Sequence, residues 1–198
     1  MKLRITMVEQ LLGTAPNDDK LYESFILSKA PADVETSDEI ESLPELIAKG
    51  IMVFHRNSQG ELCIMDWQIK GFLKEIGDNI RQRNKGGPDA GRWSAWKVHV
   101  SKNVHIFPRF ISSGKTVADG FCDRPLRSMT RQGEITALVR SEIFVAGTQF
   151  DLEIVNRAPR LISDRQIHEC LDEGQYYGLG QWRNSGNGRF TYEIIAMD

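Results

Sequence analysis

The chain has 198 residues, 40% of them hydrophobic, and its 27 acidic and 25 basic side chains leave a net charge of −2. That length buries a sizeable core without cross-links. Cys63, Cys122 and Cys170 are odd in number, far apart and without a C-x-x-C spacing, so neither a disulfide framework nor a zinc site is encoded. With no apolar run of about 18 residues, the expectation is a soluble, cytoplasmic protein with no membrane partner, no bound metal and no cofactor.

Residues 2–11 open with Leu3, Ile5 and Met7 alternating against Lys2, Arg4 and Thr6, the period-two pattern of a half-buried strand. Turn formers from Gly13 to Asp19 follow, then Leu21, Phe25 and Ile26 at helical spacing. The stretch from Pro31 to Lys49 is acidic, with Ser37 placed as a helix N-cap, and reads as a helical insertion. A small hairpin is expected from Ile51 to Ile64 around Asn57-Ser58-Gln59-Gly60.

The best helix in the chain covers 66–83, where Trp67, Ile69, Leu73, Ile76 and Ile80 are apolar and Lys70, Lys74, Arg81 and Arg83 are basic. From Trp93 the pattern turns to β character through Trp96–Val100 and Val104–Phe107, followed by a polar loop over 112–124. Two further strands, 134–143 and 149–156, are expected to form a hairpin around Ala146-Gly147. A helix over 163–173 capped by Ser163 and a last strand over 189–197 complete the chain.

Without the insertions, strand 2–11, helix 66–83, strands 134–143 and 149–156, helix 163–173 and strand 189–197 give an α+β, ferredoxin-like βαββαβ fold, RRM-like in outline. One domain over 1–198 is expected, carrying an acidic helical insertion at about 14–50 and a basic β/loop insertion at about 85–130. Charge is unevenly shared. Residues 1–50 hold ten Asp/Glu against five Lys/Arg, whereas 70–140 hold fourteen Lys/Arg against six Asp/Glu, a footprint suited to phosphates.

Between the second helix and the last strand stands Gly178-Leu179-Gly180-Gln181-Trp182-Arg183-Asn184-Ser185-Gly186-Asn187-Gly188-Arg189-Phe190. Glycines let the backbone approach a ligand closely, Arg183 and Arg189 suit bidentate contact with phosphate, and Trp182 can stack on a base. The order helix, loop, strand excludes the dinucleotide fingerprint, and the lack of Gly-Lys-Ser/Thr excludes a P-loop.

This run resembles the glycine-rich loop of the RAMP superfamily, with Asn187 at a position that is often hydrophobic there. Ile64–Lys74 is similar to the segment opening the first helix of RAMP backbone subunits, although Trp67 and Gln68 replace its serines, and Arg140–Phe150 resembles their central hairpin with its Ala-Gly-x-x-Phe turn. The resemblance implies a binder of single-stranded RNA or DNA, RNA the preferred partner. It would hold phosphates with Lys70, Lys74, Arg127, Arg131, Gly178, Gly180, Trp182, Arg183, Gly186, Gly188 and Arg189.

It further implies a basic thumb-like insertion including Lys115, Arg124, Arg127 and Arg131, and assembly as a homo-oligomer along a strand or with CRISPR complex subunits. A solitary or phage-encoded relative fits the same residues. Two alternatives stay open. One is a RAMP-type endoribonuclease using Asp18 or Asp19 with a metal, or His168 as general base. The other is an inhibitor that docks on a CRISPR complex by mimicking its backbone subunit. The residues themselves lean toward binding without catalysis.

Overall fold

The computed structural model describes residues 1–17, 51–130 and 133–196, with backbone alone for 90, 126–130 and 133–138. The helices expected within 20–49 lie outside the described residues. Chain order runs β1 (Lys2–Met7), β2 (Leu11–Leu12), β3 (Ala15–Pro16), β4 (Met52–Val53), β5 (His55–Arg56), β6 (Leu62–Met65), α1 (Asp66–Arg83) and α2 (Trp96–Asn103). It continues with β7 (Val104–Phe107), β8 (Phe110–Ser112), β9 (Gly120–Thr130), β10 (Gly133–Phe144), β11 (Gln149–Asn156), α3 (Asp164–Asp172), α4 (Gly174–Tyr177) and β12 (Phe190–Ala196).

The central sheet has the order β12-β1-β11-β7, and every neighbouring pair is antiparallel. With α1 between β1 and β7 and α3 between β11 and β12, this is the ferredoxin-like βαββαβ order. The fold is α+β and ferredoxin-like, as expected, but its second strand is not the expected one. Residues 134–143 belong to β10, which pairs along its length with β9 in another sheet, and the place is taken by the four-residue β7.

The expected hairpin around Ala146-Gly147 is therefore a turn between sheets. Met7 N–H donates to Thr148 O at 2.9 Å and Gly147 N–H to Met7 O at 2.7 Å, pinning the turn to the end of β1. Trp96–Val100, expected as β, lies in the helix Trp96–Asn103. Its Trp96 indole lies over Gly77 and donates from Nε1 to the Leu73 carbonyl at 2.7 Å, a contact that period-two alternation of Trp96, Val98 and Val100 does not reveal. The polar loop expected over 112–124 ends at Gly120, where β9 begins. Pro125 is tolerated in β9 because that strand pairs on one side only among the described residues.

Helix α1 starts where β6 ends. Gln68 turns back to accept from Met65 N–H at 2.7 Å and donates to Thr14 Oγ1 at 2.9 Å, while Asp66 complements the helix N-terminus. Ser163 caps α3 by accepting from Gln166 N–H. Leu3, Ile5 and Met7 of β1, Phe150, Leu152 and Ile154 of β11 and Phe190 of β12 meet Ile69, Phe72, Leu73 and Ile76 of α1 in a continuous core. Full burial of each such side chain is worth roughly 1.5–3 kcal/mol. Cys63, Cys122 and Cys170 are separate thiols.

Candidate nucleic-acid interface

The sheet face turned away from the helices carries Lys2, Arg4 and Thr6, with Asp151, Glu153, Glu193, His105 and Phe107 beside them in register. Arg4 grips Asp151 through two hydrogen bonds of 2.6 and 2.8 Å and lies 3.8 Å from Glu193. That pairing holds the Asp151 carboxyl below the usual carboxylate range. The face has three carboxylates to two cations and one exposed phenylalanine, at its β7 edge. It lacks the central stacking aromatics with which RRM modules hold bases, so the RRM-like comparison extends to topology alone.

The opposite situation prevails around the glycine-rich loop. Residues 178–189 double back between α4 and β12. Leu179 N–H donates to Gly188 O at 2.8 Å, Gly188 N–H to Gln10 O at 2.7 Å, and Val8 and Glu9 N–H both reach Arg189 O. A Cβ on Gly188 would stand 1.9 Å from Leu179 O, and one on Gly178 would stand 2.6 Å from Asn187 O, both at positive φ. These two glycines thus close the loop on itself and do not open space for a ligand, the role expected from the sequence.

Gly180 packs over Leu11 and Thr14, and Thr14 is the partner of Gln68 at the start of α1. Gly186 lies open beneath the guanidinium of Arg189. Trp182 is half-buried in a left-handed conformation and its carbonyl accepts from Asn187 Nδ2 at 3.1 Å. Asn184, Ser185 and Arg189 are exposed.

Arg183 departs from its expected role. Both terminal nitrogens sit 3.1 Å from the Glu75 carboxylate on α1, so its charge is already matched and it serves to fasten the loop to the helix. Lys74 precedes Glu75 directly, and Lys70 lies one turn before Lys74. Among the described residues neither lysine nor Arg189 has an ion-pair partner within 4 Å. Burial, and then the like charge of Lys74, push the Lys70 ammonium below its usual pKa. The loop thus meets α1 at Glu75 and, through Thr14, at Gln68, whereas Lys70 and Lys74 lie on the flank of the helix that continues to Asp78.

Of the basic hairpin, Arg127 lies in the part of β9 described by backbone alone, and Arg131 lies outside the described residues, as do Asp18 and Asp19. Lys115 is engaged with Asp119 at 2.7 Å and with Thr148 at 3.1 Å. Arg124, near the base of β9, is buried and hydrogen-bonds Gln181 of the loop. Gln10 donates to Asn187 Oδ1 at 2.9 Å and faces Cys122 Sγ at 3.9 Å. Gln10, Glu75 and Gln181 are the partners sequence reasoning missed. Nothing in their local pattern signals them, because Gln10 and Glu75 meet the loop, and Gln181 within the loop meets Arg124, only through long-range folding.

His168 lies on α3. Tyr192 Oη donates to Asp172 at 3.0 Å, so the 3.0 Å contact with His168 Nδ1 has the imidazole as donor. Burial, then Asp172, push the Tyr192 phenol up to about 12. A cavity of about 150 Å³ beside this chain is lined by Leu171, Asp172, Gln175, Phe190, Thr191 and Tyr192. His99 and His105 are separated, on α2 and β7. Among the described residues there is no cluster of three His, Cys, Asp or Glu able to hold a metal, and no helix long and apolar enough to cross a membrane.

Strand order and loop together define a ferredoxin-like protein with a closed glycine-rich loop ahead of its last strand and a long two-stranded arm beside it. No protein-family model matches the sequence, and no curated protein matches it. Among solved structures, the chain is similar to that of a Cas6 product complex, at 9% identity and a TM-score of 0.36, over 97% of this chain and 50% of the other. The chain therefore spans about half the length of that Cas6 chain, and the fold assignment rests on strand order.

Proposed function

We propose that the protein binds single-stranded nucleic acid, RNA ahead of DNA, as a RAMP-like protein, along the end formed by the glycine-rich loop, the first turns of α1 and the base of the β9–β10 arm. The observation that carries this reading is the sorting of charge. Lys70 and Lys74 in the first turns of α1 and the exposed Arg189 of the loop have no ion-pair partner within 4 Å among the described residues, whereas Arg4 of the open sheet face lies between Asp151 and Glu193. The like charges of Lys70 and Lys74 act on each other with Asp66 opposing, and a polyanion relieves that repulsion and releases its own counterions.

The closed loop supplies shape: its tip presents Asn184, Ser185 and the half-buried Trp182 on a rigid base. Phosphate contacts then give affinity, and Trp182 stacking adds a contribution tolerant of sequence. Arg127 and Arg131 add positive charge to the same stretch of sequence, and side-by-side assembly on one strand suits such a sequence-tolerant grip. An electrophoretic shift with single-stranded RNA tests the reading. Changing Lys70, Lys74 and Arg189 together to Ala is expected to abolish the shift at moderate salt, and unchanged binding by that triple variant overturns it.

A further inference from the structure

The base of the β9–β10 arm has two unlike faces. Asp123 and Arg140 pair in register on the outer one and form an exposed ion pair at 2.7 Å. Cys122 pairs with Ser141, and Arg124 with Val139, so these four side chains share the inner face. That face meets the glycine-rich loop, since Arg124 Nη2 donates to Gln181 Oε1 and Gln10 lies against both Cys122 and Asn187.

Arg124 is only 6% exposed and Ser141 is 0% exposed. Arg124 Nε and Ser141 Oγ are both buried without a hydrogen-bond partner. No carboxylate among the described residues pairs with Arg124. A guanidinium stays charged in any protein environment, and a buried charge with an unused donor is costly unless an anion meets it. Two unsatisfied donors on one strand-pair face, one cationic, match the tetrahedral oxygens of phosphate in charge and in hydrogen-bond sense.

Enclosure decides which phosphate. An internal phosphodiester would bring a nucleotide on either side into a site with almost no exposed surface, whereas a monoester at a strand end brings one. We propose that Arg124, Ser141 and Gln181, where the arm meets the loop, form a seat for a terminal phosphate monoester of the bound strand. This inference rests on the nucleic-acid reading above and adds an end-specific contact to it.

The test compares one oligoribonucleotide sequence in three forms, with a 5′-phosphate, with a 3′-phosphate and with hydroxyls at both ends, in binding to the wild-type protein, Arg124→Gln and Ser141→Ala. One phosphorylated form is expected to bind about tenfold more tightly than the unphosphorylated strand. Arg124→Gln should erase that preference and Ser141→Ala, a smaller change that keeps the charge, should reduce it. Equal binding of all three forms by the wild type overturns the seat while leaving nucleic-acid binding standing.

If no oligonucleotide binds, the nucleic-acid reading fails and inorganic phosphate decides the seat on its own. A rise in melting temperature with millimolar phosphate that is present in the wild type and missing in Arg124→Gln supports it. No rise in the wild type, or equal rises in both, overturns it.

Discussion

The open face of the central sheet and the glycine-loop end of the molecule are both rich in charge and treat it in opposite ways. On the sheet, Arg4 sits between Asp151 and Glu193, and the carboxylates outnumber the cations. At the loop, Arg183 is spent on an internal partner, Glu75, while Arg189, like Lys70 and Lys74 on α1, has no ion-pair partner within 4 Å among the described residues. The difference teaches that net charge says little about partners in this chain. What matters is which cations the fold has already satisfied.

The comparison breaks most sharply if the loop's closure is removed. Gly188→Ala would force a Cβ to 1.9 Å from a backbone oxygen at a φ of +75°, so a loss of about 3 kcal/mol or more in unfolding free energy is expected. Chemical denaturation measures it, and a loss below about 1 kcal/mol would mean that the loop is not held shut by this contact.

Next in size is an effect of pH. Burial pushes the His55 imidazole down to about 4 from its ordinary 6.5. Between those values the unfolded chain binds a proton that the folded chain does not, so stability is full above about 6.5 and falls as the pH drops toward 4. The loss from this group is on the order of 3 kcal/mol. Denaturation curves at several pH values check it, and His55→Gln is expected to flatten that slope.

A third outcome sharpens the comparison through salt. For a single strand, log affinity falls against log salt with a slope of about 0.7 per phosphate neutralised, so removing one such cation makes the slope shallower by that step. Arg189→Ala is expected to make it shallower by one step, and Arg183→Ala by less, because its charge is already matched by Glu75. Equal effects from the two arginines would contradict the assignment of Arg183 as a fastening residue. The smallest expected effect belongs to the sheet: Asp151→Asn with Glu193→Gln should leave RNA affinity within about twofold, as surface charges that do not touch the strand are largely screened by salt.

The sequence was most legible where one residue pattern has one structural solution. Alternation in 2–7, the apolar stripe of α1, the Ser163 cap and the last strand all appear within a few residues of where they are read. The second strand of the central sheet was not legible, because β7 spans four residues while β10 offers twelve of stronger strand character. Which of the two enters the sheet is settled by partners remote in sequence. The glycine-rich loop was visible as composition, but half of its glycines serve close approach of the loop to itself.

The joint between arm and loop was invisible for a related reason. Arg124 and Gln181 are 57 positions apart, and no local pattern joins a charged residue in a Pro-containing strand to an amide in a glycine loop. Arg183 and Arg189 look alike in the sequence. Glu75, 108 positions from Arg183, separates their roles.

The most direct test is photo-crosslinking of single-stranded RNA carrying 4-thiouridine, with the attached peptides identified by mass spectrometry. Attachment is expected within 178–190, with Trp182 foremost, and at the first turns of α1. Attachment instead to Phe107, Ile195 or other residues of the open sheet face would contradict the account.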